Sequence, residues 1–105
     1  MKKISELHAN ICQVFANPVR IEIVEALIER EHTTKELAEI IGASAVNISQ
    51  HISLMRNRNM VVSTRSGHFV YHRLTADEIR QVFSIVRGFL ISTLEKSGRL
   101  AQELR

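Results

Sequence analysis

The chain has 105 residues, with 14 Lys and Arg against 11 Asp and Glu for a formal charge of +3, and 45% of it is hydrophobic. That suffices for one modest core, so a single domain over residues 1–105 is expected, with the profile of a compact domain rather than a disordered tail. Cys12 is the only cysteine, which excludes an internal disulfide scaffold, and Ser5, Glu6, His8 and Asn10 break up the signal-like start Met1-Lys2-Lys3. No stretch nears membrane-spanning length, so a cytoplasmic protein with no membrane partner is expected.

Ile4, Leu7, Ile11, Val14 and Phe15 recur at helical spacing and predict a first amphipathic helix ending before Asn17-Pro18. Asn17 suits an N-cap and Pro18 a first helical position, where its missing N–H is not needed. A second helix follows from about Pro18 to Arg30, with Ile21, Val24, Ala26, Leu27 and Ile28 available to the core. Thr33-Thr34-Lys35-Glu36 reads as a capping box that opens a short third helix through Leu37, Ala38, Ile40 and Ile41, stopping at Gly42. Gly42-Ala43-Ser44 makes a tight turn, and Ser44 can cap a fourth helix from Ala45 to about Asn57. Two helices joined by a short Gly-containing turn are the helix-turn-helix signature. On the fourth helix Ile48, Ile52 and Met55 share one face, leaving Val46, Gln50, Ser53 and Asn57 on the other.

Met60 to Arg65 and Phe69 to Leu74 are β-branched or aromatic runs separated by Ser66-Gly67-His68, which predicts a hairpin, the wing. Tyr71 and His72 alternate across its second strand, so one of them packs inward. Thr75-Ala76-Asp77-Glu78 reads as a second capping box opening a long last helix, striped by Ile79, Val82, Phe83, Val86, Phe89, Leu90 and Leu94. The expected fold is mainly α with a β-hairpin wing, in the order α-α-α-α-β-β-α. The last stripe is longer than a small core absorbs and the first helix offers a second apolar face. A homodimer through the first and last helices, built on Ile4, Leu7, Ile11, Val82, Val86, Phe89 and Leu90, buries both.

Charge is distributed unevenly along these elements. From Ile40 to Ala76 there is no Asp or Glu, while Arg56, Arg58, Arg65, Arg73, His51, His68 and His72 all fall in that stretch. One helix and one hairpin therefore present guanidinium groups with no acid among them, a surface suited to phosphates. The start of a recognition helix reaches base edges, which here assigns base contacts to Ala45, Val46, Asn47, Ser49 and Gln50. Gln50 matches the two-point pattern of adenine and Val46 a thymine methyl, although Val46 also fits a hydrophobe covered by a neighbouring helix. Lys35, Ser44, Ser53, Arg56 and Arg58 are assigned to phosphates, and Arg65, Ser66, Gly67 and His68 of the wing to the adjacent minor groove. His51 lies near the inward face, where a structural histidine is the ordinary reading.

The segments ANPVRIEIVEAL and TTKELAEIIGASAVNISQHISLMRNRNMVVSTRSGHFVYHRL resemble the ArsR/SmtB family of winged-helix repressors. The match runs from about Ile11 to Glu95 and holds Glu36-Leu37-Ala38, Ser44, Ser49-Gln50-His51-Ile52 and Gly67 to Leu74 in one register. The resemblance implies a homodimer on an imperfect palindrome of double-stranded DNA, repressing nearby transcription until a signal releases it. It also implies where metal sensing would reside. One family site needs two cysteines before the third helix, where Thr33 and Lys35 stand. Another needs an aspartate and a histidine early in the last helix, where Asp77 is followed by Ile79 in the histidine's place. Neither hydroxyl nor ammonium replaces a thiolate toward soft metals, so no metal and no cofactor are expected and the inducer is unnamed.

His8 and Cys12, four apart on the first helix, are the remaining candidate sensor pair, with His32 or a partner chain as a further donor. The ordinary reading of Cys12 beside Ile11 and Phe15 is a small buried hydrophobe. No catalytic triad, carboxylate pair, phosphate loop or zinc motif occurs at a workable spacing, so no enzyme is expected. The reading from another class is a winged-helix module that docks a protein partner without specific DNA binding.

Overall fold

The computed structural model describes residues 3–104; Met1 and Lys2 of the signal-like start lie outside the described residues. The order is α1 (Ile4–Val14), α2 (Pro18–Glu29), β1 (His32–Thr33), α3 (Thr34–Ile41), α4 (Ala45–Asn57), β2 (Val61–Ser66), β3 (Phe69–Leu74), α5 (Asp77–Lys96) and α6 (Leu100–Glu103). Local chemistry sets most boundaries. The Asn17 side chain accepts from the Val19 and Arg20 amides, with Pro18 in the first turn. The capping box forms at α3, where Thr33 Oγ1 accepts from Glu36 N at 3.1 Å and Glu36 Oε1 from Thr33 N at 2.9 Å. Gly42 closes α3 at φ 79°, a left-handed conformation that a side chain would strain.

The second expected capping box does not form. Ala76 is the N-cap of α5 with no side-chain cap bond, and the Thr75 hydroxyl instead donates to Asn59 O at 2.7 Å, tying the end of the hairpin to the end of α4. Two elements were not foreseen from the sequence: α6 and the short strand β1. β1 pairs antiparallel with β3, His32 opposite His72 and Thr33 opposite Tyr71, so the sheet has three strands in the order β1-β3-β2. The hairpin register sets Ser66 opposite Phe69, which narrows the loop to Gly67-His68 with Gly67 at φ 63°.

The core joins Val14, Ile23, Val24 and Leu27 to Leu37 and to Ile48, Ile52 and Met55 of α4, closed below by Met60, Val61 and Ile79. α4 is thus held from behind by three buried side chains, as expected. On α2 the inward set differs: Ile23 is fully buried, whereas Ile21 and Ile28 are half-buried. Ile40 is 58% exposed on α3. Its position beside the helix's polar face leaves it outside the layer that Leu37 enters.

Candidate nucleic-acid interface

With Ile48, Ile52 and Met55 turned inward, the opposite face of α4 is left to solvent. Ala45, Val46, Ser49, Gln50 and Ser53 line one shallow depression on that face, Val46 at 69% exposure. At that exposure Val46 is not a hydrophobe covered by a neighbouring helix. Asn47 is half-buried at the helix start. Its amide donates to Ser44 Oγ at 3.0 Å, and the first turn of α4 holds no acidic residue. Ser44 remains exposed, and the cap uses an oxygen lone pair, which leaves its O–H proton free to donate outward.

The cations expected at phosphates occupy different environments. Lys35 and Arg56 are exposed. Arg56 Nη1 donates to Ser63 Oγ at 3.1 Å and Nη2 to Ser53 Oγ at 3.3 Å, so α4 and β2 both grip it. Arg58, the C-cap of α4, is half-buried, and its Nε has no hydrogen-bond partner. Arg65, Ser66, Gly67 and His68 are all exposed at the end of the wing. Phe69, at 58% exposure, stands beside them with its ring 6.4 Å from Tyr71. Sequence reasoning passes over Phe69 because an aromatic in a strand is ordinarily inward.

Two histidines of the acid-free stretch are structural. His51 Nδ1 lies 3.2 Å from Arg20 Nη1, and Arg20 also donates to Val14 O at 3.0 Å and Gln13 O at 2.9 Å. Because guanidinium only donates, Nδ1 accepts and His51 is neutral; burial, then the Arg20 charge, hold its pKa below the ordinary histidine value. Arg20 therefore locks the end of α1 to α4, a role that nothing in its local sequence marks. Of the Tyr71 and His72 pair, His72 packs inward at 3% exposure. Burial, then Arg56, lower its pKa too.

The residues assigned to a homodimer contact form an uncovered apolar surface. Ile4 is 80% exposed, Phe89 75% and Val86 60%, with Leu7, Ile11, Val82 and Leu90 also exposed. Ile85, at 72%, belongs to the same face and was missed in the sequence. Cys12, read as a buried hydrophobe or as a ligand with His8, is exposed, as is His8. It edges a cavity of about 340 Å³ floored by Phe15, Ile21, Val82, Phe83, Val86 and Leu90. Among the described residues no three His, Cys, Asp or Glu side chains are grouped to hold a metal ion. His32 is buried in β1. Asp77 is bound by Arg80 at 2.7 Å and by Gln81 at 2.8 Å, and these bonds hold its pKa at about 2. No described helix is long and apolar enough to cross a membrane.

Comparison with known proteins bears on this arrangement. The sequence profile of the arsR family of bacterial regulatory proteins matches residues 17–63, from the cap of α2 into β2. The uncharacterized HTH-type transcriptional regulator Rv0081 of Mycobacterium tuberculosis is 28% identical over 101 residues, 95% of this chain and 89% of that protein. Its crystal structure overlays with a TM-score of 0.83 at 26% identity, covering 92% of this chain and 98% of the other. The biofilm growth-associated repressor of Xylella fastidiosa is 29% identical over 82 residues, 78% of this chain and 72% of that protein. A homodimeric winged helix-turn-helix DNA-binding domain from Mycobacterium bovis shares the fold, with a TM-score of 0.82 at 20% identity over 89% of this chain and 86% of that one.

Proposed function

The chain is an ArsR-family winged helix-turn-helix protein, and from that premise we propose that it is a dimeric, sequence-specific repressor acting in the cytoplasm as a single DNA-binding domain over residues 1–105. The observation that carries this reading is the solvent-facing, uncharged start of α4, with Val46 69% exposed and Ser49 and Gln50 beside it. An exposed Val flanked by short polar side chains suits a thymine methyl next to polar base edges. Ala45 and Asn47 complete the set of base contacts. Lys35, Ser44, Ser53, Arg56 and Arg58 meet phosphates, and the wing residues 65–68 enter the neighbouring minor groove.

Dimerisation through α1 and α5 covers Ile4, Leu7, Ile11, Val82, Val86, Phe89 and Leu90 and sets two recognition helices against the halves of an imperfect palindrome. The named relatives support it: one is called a repressor, another is a homodimeric DNA-binding domain. The protein is not an enzyme, carries no cofactor and lacks the metal ligands expected of its family.

Fluorescence anisotropy against DNA from upstream of its own gene, and against a shuffled duplex at physiological salt, tests the reading. A preference of about a hundredfold or more for the native fragment is expected, since specific sites exceed non-specific ones by roughly 10³ or more. Equal weak binding to both refutes specific recognition and favours the alternative, a winged helix that docks a protein.

A further inference from the structure

His72 is 3% exposed, yet both of its ring nitrogens are engaged. Nε2 lies 2.8 Å from Thr34 Oγ1 and Nδ1 2.7 Å from Ser63 Oγ. Ser63 Oγ also accepts from Arg56 Nη1 at 3.1 Å. The guanidinium has donors only and takes one lone pair of Ser63 Oγ; we assign the Ser63 proton to Nδ1, which puts the ring N–H on Nε2, directed at Thr34 Oγ1. This assignment needs a neutral imidazole, and burial beside Arg56 disfavours the charged form. One hydrogen-bond chain therefore begins at the first residue of α3, crosses β3 and β2, and ends on the last turn of α4, where Arg56 is held a second time by Ser53.

We propose that His72 is a positioning residue for DNA binding: through Ser63 it holds the Arg56 guanidinium where α4 meets a backbone phosphate, and through Thr34 it fixes the wing against the helix-turn-helix. The inference rests on the DNA-binding reading above and extends it to a buried side chain that touches no nucleotide. The physical reason is preorganisation. A free arginine samples many rotamers, and one already gripped by two hydroxyls loses less freedom when a phosphate arrives. Ser63 holds its own orientation only while Nδ1 accepts its proton, so the imidazole sets the direction of the hydroxyl, and the hydroxyl that of the guanidinium. The Thr34 contact makes the same ring sensitive to where α3 begins, so a displaced wing moves Arg56 with it.

The test compares full-length wild type with Ser63→Ala, His72→Leu, His72→Gln, Arg56→Gln and the Arg56→Gln/Ser63→Ala double variant. Each is measured for affinity to the wild type's preferred duplex across a salt series, and for thermal unfolding. Arg56→Gln is expected to flatten the slope of log affinity against log salt by about 0.9 for each phosphate no longer neutralised. Ser63→Ala and His72→Leu are expected to flatten it by a similar amount, the double variant to be no weaker than Arg56→Gln alone, and His72→Gln to recover part of the slope. If Ser63→Ala keeps the wild-type slope, or adds fully to Arg56→Gln, the proposal is overturned. Should His72→Leu fail to fold, Ser63→Ala decides, because it removes one hydroxyl from a half-buried site. Unchanged slopes with specific wild-type binding overturn the role of His72 alone, whereas a wild type that prefers no duplex overturns the DNA reading with it.

Discussion

Replacing Ser44 with aspartate, beside a parallel alanine variant, separates the capping role of its hydroxyl from the phosphate contact proposed for it. Its oxygen accepts from Asn47 N at 3.0 Å and caps α4, while its proton is free for a phosphate. Aspartate caps as well as serine and also favours a helix N-terminus electrostatically, so Ser44→Asp is expected to unfold at the wild-type denaturant concentration. Ser44→Ala loses the cap and about 1 kcal/mol of stability. DNA affinity should show a different order. A carboxylate about 4 Å from a phosphate costs about 1 kcal/mol if fully solvated and several times more at the effective dielectric of a protein surface. Ser44 is exposed, so we take the lower figure. Two protomers then lose about 2 kcal/mol, a roughly 30-fold weakening. Urea unfolding and anisotropy titration on the same preparations read both quantities. An aspartate variant as unstable as the alanine variant refutes the cap; one that is stable and binds DNA like wild type refutes the phosphate contact.

Ile48→Ala, at a fully buried position behind the solvent-facing side of α4, should lose about 2–5 kcal/mol in urea unfolding; a loss under about 1 kcal/mol would show that α4 is not anchored there. Phe89→Asp, at a 75% exposed position, should convert a dimer to a monomer in sedimentation velocity and abolish tight DNA binding, and an unchanged sedimentation coefficient would remove α5 from the interface. Acid should destabilise the protein in two stages. His72 and His51 bind protons less readily folded than unfolded, so their share of stability is complete above about pH 6.5 and is lost as pH falls below it. Glu36 is held at about 2, first by its bond from the Thr33 amide and then by Arg30, so a second loss comes as pH falls from about 4.5 toward 2. A urea midpoint that stays flat from about pH 7 to about pH 5 would contradict the first stage.

What the sequence disclosed depended on how far apart the interacting groups lie. The caps at Asn17, Thr33 and Ser44 join residues two or three positions apart, and all three form. Thr75 carries the same local signal, but a backbone carbonyl 16 residues away, on Asn59, takes its hydroxyl. β1 is two residues long, too short for any period to register, and becomes visible only against β3. Strand alternation said that Tyr71 or His72 turns inward. The choice fell to the polar ring because Thr34 and Ser63 were waiting on that side with hydroxyls, and neither is close to it in sequence. On α2, isoleucines at 21, 23 and 28 offer no clear stripe, and only packing singled out Ile23. The solvent-facing side of α4 was legible because Ile48, Ile52 and Met55 fix which side is hidden.

The acid-free stretch shows why charge read along a sequence overstates charge at a surface. Of its four arginines and three histidines, His72 is buried where desolvation and Arg56 disfavour its charged form, His51 accepts from Arg20, and Arg58 is half-buried. Arg73 lies on the opposite face of β3 from His72, away from the chain of bonds that reaches α4. On the proposed reading the cations left for a duplex on α4 and the wing are the exposed Arg56 and Arg65 and the half-buried Arg58, joined by Lys35 from outside the stretch. A surface with so few free cations draws limited non-specific affinity from counterion release, since each neutralised phosphate adds only about 0.9 to the salt slope. On the proposed DNA-binding reading, discrimination comes from the uncharged groups at the start of α4 and from how firmly the few arginines are held. Both depend on hydroxyls: Ser44 at the cap, Ser53 and Ser63 around Arg56. The acid-free stretch thus contributes less through its net charge than through hydroxyls whose lone pairs hold the α4 cap and the Arg56 guanidinium.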